Sequence, residues 1–320
     1  MRGVSNLCSD GMLDALQDEI HRWDESYGRM SLIDQALVPQ RASDTIQTKR
    51  SRLAQLREDG WTQEKVRNTL HEATWDATAE SRHQRHQTTE ISNDMKSHML
   101  AVAKWVLEPL LEPPFEPLDS HISSVAKPTA AAAVQQEGSI CDVGCGTGIL
   151  ISFLQEYAKT NKAAASFRPA AVLGVDLSGG MLSVASRAYP EATFQQIDFM
   201  RFEPPAHTKF SAVVMNECLH NFGDVSAAIR HAAGMLADGG RLVVSHPKGF
   251  DNVLMQSSRN RLLVPSRLPT GAEFKALVET LNKDFQGALA LRLRVLLEPD
   301  TRSGSPHYLA VLVKEKLESN

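Results

Sequence analysis

The chain of 320 residues, 42% of them hydrophobic, is long enough to bury a full core as one large domain or two smaller ones. Its formal net charge of -4 and its isoelectric point near 6.3 give no electrostatic reason to expect nucleic acid as a partner. No apolar run reaches the roughly 18 residues that a membrane-spanning helix needs, so we expect no membrane partner either.

Cysteine usage and the first residues of the chain predict its cellular compartment. The four cysteines have the spacing of neither a disulfide framework nor a zinc finger. Residues 1–20 carry four acids and no continuous apolar stretch, which is typical of neither a signal peptide nor a transit peptide. These observations predict a cytoplasmic protein.

Up to about residue 120, apolar residues recur at the spacing of helices. Three stripes show this spacing: Met12, Leu16, Ile20 and Trp23; Val66, Leu70, Ala73 and Ala77; and Ile91, Met95, Val102 and Val106. A proline cluster, "EPLLEPPFEP", ends the third stripe. Residues 1–120 are therefore predicted to form an all-helical region that serves as a lid or as the dimerisation layer of a homodimer. Trp75 and Tyr27 are candidate lid contacts, although each also suits core packing.

Residues 121–320 alternate short apolar runs with helical patterns, which is typical of βαβ units around a parallel sheet. The predicted strands are Ser139–Val143, Ala171–Asp176, Thr193–Ile197, Phe210–Asn216 and Gly240–Ser245. Further on, Thr270 and Glu273 form a capping box that predicts a helix start. The runs "LRLRVLLE" and "HYLAVLVKE" then predict an antiparallel hairpin. The fold class is thus α/β, a Rossmann-like doubly wound sheet of about seven strands with an antiparallel terminal hairpin.

The stretch "ICDVGCGTGIL" places a glycine loop between the first strand and a helix. Gly144, Gly146 and Gly148 let the backbone turn sharply and let a ligand approach closely, with no Cβ in the way. The spacing G-x-G-x-G lacks the last glycine of a dinucleotide fingerprint, which disfavours an NAD enzyme. No Gly-Lys-Ser/Thr follows, which excludes a P-loop.

Acidic residues follow the next two predicted strands. Asp176, in "VLGVDLS", can accept both hydroxyl protons of a ribose. Asp198, in "FQQIDFM", is placed to accept an amino proton from an adenine while Phe199 borders its ring. Together with the glycine loop, the two acids predict a site for an adenosine-containing ligand.

With these features the chain resembles the class I S-adenosylmethionine-dependent methyltransferases, especially the group acting on small molecules. The resemblance covers about residues 138 to 247, and the hairpin extends it to about 316. It implies S-adenosylmethionine as cofactor, with Asp176 at the ribose and Asn216 near the transferable methyl. It also implies that Asp198 and Phe199 contact the adenine. The other residues implied to bind the cofactor are Asp142, Gly144, Cys145 and Gly146 at the methionine part, together with Gly148 and Leu177. Relatives often carry proline or an acid where this chain has Gly179 and Gly180.

The segment after the fourth strand bears on the acceptor. Relatives that methylate nucleic-acid bases usually carry an Asn/Asp-Pro-Pro-aromatic tetrapeptide where this chain has residues 216–219, "NECL", which argues against that class. "CLHNFGD" is instead similar to the histidine neighbourhood of plant-type O-methyltransferases, which implies His220 as a general base. His246, in "SHPKGF", is a second candidate, and some acceptors need no base.

Cysteine and histidine could also indicate a redox or metal site. Cys141 and Cys145 suit a buried strand and a loop better than a redox or metalloid site. The histidines His71, His83, His86 and His98 share no helix face, so no metal site is predicted.

The sequence therefore predicts a methyltransferase that acts on an oxygen, nitrogen or carbon of a small molecule. A protein methyltransferase and a non-catalytic S-adenosylmethionine-binding partner subunit remain as alternatives.

Overall fold

The computed structural model of the chain describes residues 63–88, 91–108, 139–205, 208–261, 263–285 and 291–316. The strands of these ranges are β1 (Ile140–Val143), β2 (Val172–Asp176), β3 (Thr193–Gln196), β4 (Phe210–Asn216), β5 (Leu236–His246), β6 (Leu291–Leu297) and β7 (Tyr308–Lys316). Their α-helices are α1 (Gln63–Thr88), α2 (Asn93–Leu107), α3 (Ile149–Thr160), α4 (Gly179–Ala188), α5 (Val225–Met235), α6 (Gly249–Arg259) and α7 (Gly271–Phe285). No helix in the described ranges is long and apolar enough to cross a membrane.

The seven strands form one sheet in the order β3-β2-β1-β4-β5-β7-β6. The pairs β1–β2, β1–β4, β2–β3 and β4–β5 are parallel. β7 runs antiparallel to both β5 and β6. This order confirms the predicted Rossmann-like sheet with an antiparallel terminal hairpin. It also brings the carboxyl ends of β1, β2, β3 and β4 to one edge of the sheet, where ligands of doubly wound folds bind.

The element boundaries follow local chemistry. The predicted capping box starts α7, because Thr270 N–H donates to Glu273 Oε2 (2.9 Å) and Glu273 N–H donates to Thr270 Oγ1 (3.3 Å). β5 begins at Leu236, four residues before the predicted Gly240. Leu236 pairs with Phe210 and Arg241 pairs with Ala212, so the intervening residues of β5 form a bulge. Alternation of apolar residues does not reveal such a bulge.

Side chains of the strands alternate between two core layers, one on each face of the sheet. Cys141 and Val143 of β1 belong to the layer that includes α5, α6 and α7, whereas Ile140 belongs to the layer that includes α2 and α3. The predicted stripe of α2 lies in this second layer, with Val102 and Val106 fully buried. α1 and α2 confirm the helical interpretation of the described part of the first third, and the stripe from Met12 to Trp23 lies outside the described residues. The proposed division at residue 120 stays a prediction.

α1 packs along α4 through a polar contact at the start of that helix. Asp76 Oδ1 accepts hydrogen bonds from Ser178 Oγ (2.6 Å) and from Gly180 N–H (2.8 Å). A carboxylate at a helix N-terminus is favourable, because unpaired N–H groups point toward it. Asp76 of α1 thus supplies a carboxylate to the start of α4, where the resemblance implies that relatives often carry proline or an acid. Glu80 and Arg187 form a second, exposed pair between α1 and α4 (2.8 Å).

Because Gly180 has no side chain, the α1 backbone at Asp76 can lie close to the start of α4. A Cβ there would lie 2.9 Å from the Cα of Asp76, so the α1 backbone would have to move. We expect Gly180→Ala to lower the melting temperature and to make α1 sensitive to limited proteolysis, although alanine is the better helix former by about 1 kcal/mol.

Gly234→Ala in α5 is the matched control, since a Cβ at Gly234 meets nothing within 4 Å. This variant should be slightly stabilised and should keep the wild-type digestion pattern. Equal behaviour of the two variants would mean that Gly180 has no special part in the docking of α1.

Candidate active site

The segment Gly144–Gly148, called here the glycine turn, connects β1 to α3. Gly144, Gly146 and Gly148 have φ angles of 63°, 54° and 78°, all in the left-handed region that favours glycine. Gly144 N–H donates to Val175 O (2.8 Å), which ties the turn to the end of β2. The three glycines therefore allow the sharp backbone turn that the sequence predicts.

Asp176 ends β2 beside the glycine turn. Its Oδ2 accepts from Gly146 N–H (2.9 Å) and its Oδ1 accepts from Ser178 N–H (2.9 Å). Burial raises the pKa of Asp176, and the hydrogen bonds from Ser178 and Gly146 act in the opposite direction. Each oxygen keeps lone-pair capacity for a further donor, as a ribose-binding carboxylate needs.

Asp198 follows β3 and is in contact with α1. Its Oδ1 accepts from Met200 N–H (3.0 Å), and its Oδ2 accepts from Asn68 Nδ2 (2.9 Å). The next residue, Phe199, is buried and lies edge-on to Phe222 with ring centroids 5.8 Å apart. The N-terminal region therefore reaches the part of the site that the resemblance assigns to the adenine.

A cavity of about 510 Å³ opens at this edge of the sheet. Six of the residues predicted from the sequence line it: Gly144, Gly146, Asp176, Leu177, Asp198 and Phe199. Six others do not line it: Asp142, Cys145, Gly148, Asn216, His220 and His246. The volume lies within the usual range of small-ligand pockets, about 300–1,000 Å³.

Asp142 and Asn216 lie at the carboxyl-end edge but behind the cavity wall. Asp142 is 3% exposed, and burial raises its pKa to about 8, with a further contribution from the charge of Asp176. Asn216 Oδ1 accepts from Ser245 Oγ (2.6 Å), which joins the ends of β4 and β5. Their predicted contacts with a cofactor remain predictions.

The cysteines near the glycine turn are buried thiols. Cys141, Cys145 and Cys218 are free, and burial raises the pKa of each. Cys218 Sγ donates to Val143 O (3.0 Å) at the edge of the cavity. In the described part of the chain, no group of three or more metal-binding side chains is placed to hold an ion.

His220 and His246, the two candidate bases, lie against each other and do not line the cavity. Their rings are T-shaped with centroids 5.1 Å apart. Burial lowers the pKa of each to about 3, assisted by His246 for His220 and by Lys248 for His246. Both imidazoles are neutral and weakly basic at neutral pH. Their role as general bases stays a prediction.

One wall of the cavity comes from α1, and apart from Trp75, a candidate lid contact, its residues were not predicted. The α1 wall consists of Glu64, Arg67, Asn68, His71, Trp75 and Arg82. His71 is held between Leu263 O (2.7 Å from Nε2) and Trp75, whose Nε1–H donates to Nδ1 (3.3 Å). Burial lowers the pKa of His71 to about 4, so the ring is neutral. Most of these residues recur every three or four positions, a polar stripe that apolar periodicity does not detect.

Glu217, directly after β4, is another lining residue that we did not predict. Its φ of 58° is in the left-handed region. A single sequence gives no signal for this conformation in a glutamate.

Comparison with known proteins agrees with this architecture. A family model described as "Methyltransferase domain" matches residues 120–283, about half of the chain. Trans-aconitate 2-methyltransferase of Methylobacterium nodulans is 29% identical over 160 residues, 49% of this chain and 56% of that protein. Demethylmenaquinone methyltransferase of Tropheryma whipplei is 35% identical over 117 residues, 35% of this chain and 44% of that protein. The chain thus spans about half the length of the relatives it matches.

Among solved structures, magnesium protoporphyrin IX methyltransferase from Synechocystis, crystallised with S-adenosylmethionine, is similar with a TM-score of 0.45 and 16% identity. The similarity covers 78% of this chain and 97% of that one. On the strength of the family model, the chain belongs to the methyltransferase-domain family.

Proposed function

We propose that the protein transfers the methyl group of S-adenosylmethionine to a small-molecule acceptor. The observation that carries this proposal is the convergence of the glycine turn, Asp176 and Asp198 on one cavity. The names of the relatives trans-aconitate 2-methyltransferase and demethylmenaquinone methyltransferase also denote small acceptors.

The residues present fit the cofactor. A Cβ at Gly146 would meet no protein atom within 4 Å, so the turn leaves open space where a ligand can approach the backbone. Asp176 would hold the ribose, and Asp198 with Phe199 the adenine. Gly144 and Cys145 would contact the methionine part of the cofactor, near the buried Asp142. When bound, the cofactor supplies a methyl group activated by a positively charged sulfonium.

The protein's contribution is to align donor and acceptor and to exclude water, which can account for about 7–11 kcal/mol of a reaction barrier. The α1 wall is suited to this task because it lines one side of the cavity. Asn68 fixes one oxygen of Asp198, and Trp75 with the neutral His71 forms an uncharged part of this wall. A cavity of this size favours a small acceptor over an extended polypeptide.

The homodimer and the cytoplasmic location predicted from the sequence remain proposals. The free thiols of Cys141, Cys145 and Cys218 are consistent with a reducing compartment.

We expect S-adenosylmethionine and S-adenosylhomocysteine to bind at micromolar strength, because both present the adenosine that Asp176 and Asp198 would hold on this proposal. Titration calorimetry on the purified protein measures this. NADH is the control ligand, and it should not bind because the G-x-G-x-G turn lacks the dinucleotide spacing. Binding of NADH, with neither adenosyl ligand bound, would refute the proposal.

A further inference from the structure

The residue that follows β4 has a conformation that side chains seldom adopt. Among the described residues, Glu217 is the one non-glycine residue with a positive φ. A glutamate in the left-handed region is strained relative to a glycine, and strain of this kind concentrates at functional sites. A side chain in this strained conformation points to a functional role for Glu217.

Contacts on both sides hold Glu217 in place. Its N–H donates to Ser245 O (2.8 Å), at the end of β5. The next residue, Cys218, donates through Sγ to Val143 O and packs against Gly144. Glu217 is thus fixed between the end of β4 and the glycine turn, and it lines the cavity there.

The other strand-end and loop carboxylates of the cavity already have structural partners. Asp176 and Asp198 accept backbone N–H groups, and Asp224 accepts from Ala227 N–H at the start of α5. Within the described ranges, the carboxylate of Glu217 has no hydrogen bond or ion pair with another residue. An acid fixed by its backbone and left without a side-chain partner is available to a ligand.

On the methyltransferase function proposed above, we propose that Glu217 is a catalytic residue whose carboxylate accepts a hydrogen bond from the O–H or N–H of the acceptor and takes that proton during methyl transfer. The acceptor is then a neutral hydroxyl or amine compound.

The step balances in atoms and electrons. A lone pair of the acceptor oxygen or nitrogen forms the new bond to the methyl carbon, and the electrons of the broken carbon–sulfur bond stay on the sulfur as a neutral thioether. The acceptor proton moves to the Glu217 carboxylate, which becomes a carboxylic acid. Glu217 is partly exposed at the cavity, so this proton can return to water.

The charge of the cavity agrees with this class of acceptor. Five acids and two arginines line it: Glu64, Asp176, Asp198, Glu217 and Asp224, against Arg67 and Arg82. A carboxylate acceptor beside Glu217 would meet like charge in a partly desolvated space, which is unfavourable. A hydroxyl or amine would instead satisfy the free carboxylate.

A base role for Glu217 also bears on the role of His220. His220 does not line the cavity, and the charge of Glu217 is one of the influences on its ring. On this assignment the acceptor proton goes to Glu217, and the buried pair of His220 and His246 stays outside the cavity lining.

The first test removes the charge and keeps the shape. Glu217→Gln should lower methyl transfer into an extract of cell metabolites by about 100- to 10,000-fold, the usual contribution of a positioned base. The dissociation constant for S-adenosylmethionine should change less than threefold. Glu203→Gln, an exposed acid outside the cavity, is the matched control and should keep wild-type turnover.

The products made by the wild type identify the acceptor class. Labelled methyl groups on ethers or amines survive mild alkali, whereas methyl esters release methanol. Alkali-stable products are expected. Esters, or full turnover by Glu217→Gln, would overturn the assignment.

The second test relieves the strain at residue 217 and measures the melting temperature, so it does not require turnover. Glu217→Gly and Glu217→Asn both suit a positive φ, so each should raise the melting temperature by a few degrees while S-adenosylmethionine still binds. A lower melting temperature in both would show that the side chain stabilises the fold, and it would overturn the catalytic role. Failure of the wild type to bind S-adenosylmethionine would overturn the proposed function together with this inference, whereas the other adverse results overturn the inference alone.

Discussion

Replacing Gly144 by alanine should lower the free energy of unfolding by about 2–5 kcal/mol, with two physical causes. The φ of 63° costs about 1–2 kcal/mol for a residue with a Cβ. The new Cβ would also lie 2.7 Å from the Cβ of Cys218, and overpacking of this kind costs about 1–3 kcal/mol. Because Cys218 borders the cavity, ligand binding should be lost as well. Chemical denaturation measures the change.

Gly146→Ala separates the two causes. Gly146 has a similar φ of 54°, but a Cβ there meets nothing within 4 Å. This variant should lose about 1–2 kcal/mol, the conformational cost alone. If the two variants were equally stable, the close contact of the new Cβ at residue 144 with Cys218 would contribute nothing to the loss of stability.

The second large effect is expected on ligand affinity. Asp176→Ala should weaken S-adenosylmethionine binding by about 1–3 kcal/mol, since the ribose hydroxyls lose a charged acceptor. That range corresponds to about 5- to 150-fold in the dissociation constant. The fold should survive. Calorimetry with Asp176→Asn, which keeps one acceptor oxygen, should give an intermediate affinity.

The pH dependence of binding follows from the same residue. Burial raises the pKa of Asp176, so its carboxyl group takes up a proton at a higher pH than an exposed aspartate does. Affinity should therefore be full above this raised pKa and should fall as the pH drops through it. The alanine variant should lack that fall. An unchanged dissociation constant in the alanine variant would show that Asp176 serves only the glycine turn.

Much of the sheet was predictable because its signals are local. A short apolar run predicted β4 with its observed bounds, and the capping box at Thr270 marked the start of α7. The glycine spacing indicated a sharp turn, and the positive φ angles of Gly144, Gly146 and Gly148 agree with it. These features depend on neighbours a few residues away.

The parts that were missed depend on distant contacts. Asn68 meets Asp198 across 130 positions of sequence, and Asp76 meets Ser178 across 102. No local pattern connects such pairs. The positive φ of Glu217 was equally hidden, because a glutamate does not favour it and only the surrounding contacts impose it.

The position of β1 within the sheet has a consequence for synthesis of the chain on the ribosome. Ile140 pairs with Val172 on one side and with Ala212 on the other, so the second neighbour of β1 emerges long after the glycine turn. A nascent chain that ends before β4 has the turn but lacks Glu217 and Cys218, which border it. If the cavity binds the proposed cofactor, we therefore expect the ligand to stabilise the protein only after most of the parallel sheet has left the ribosome, too late to guide the earlier steps of folding.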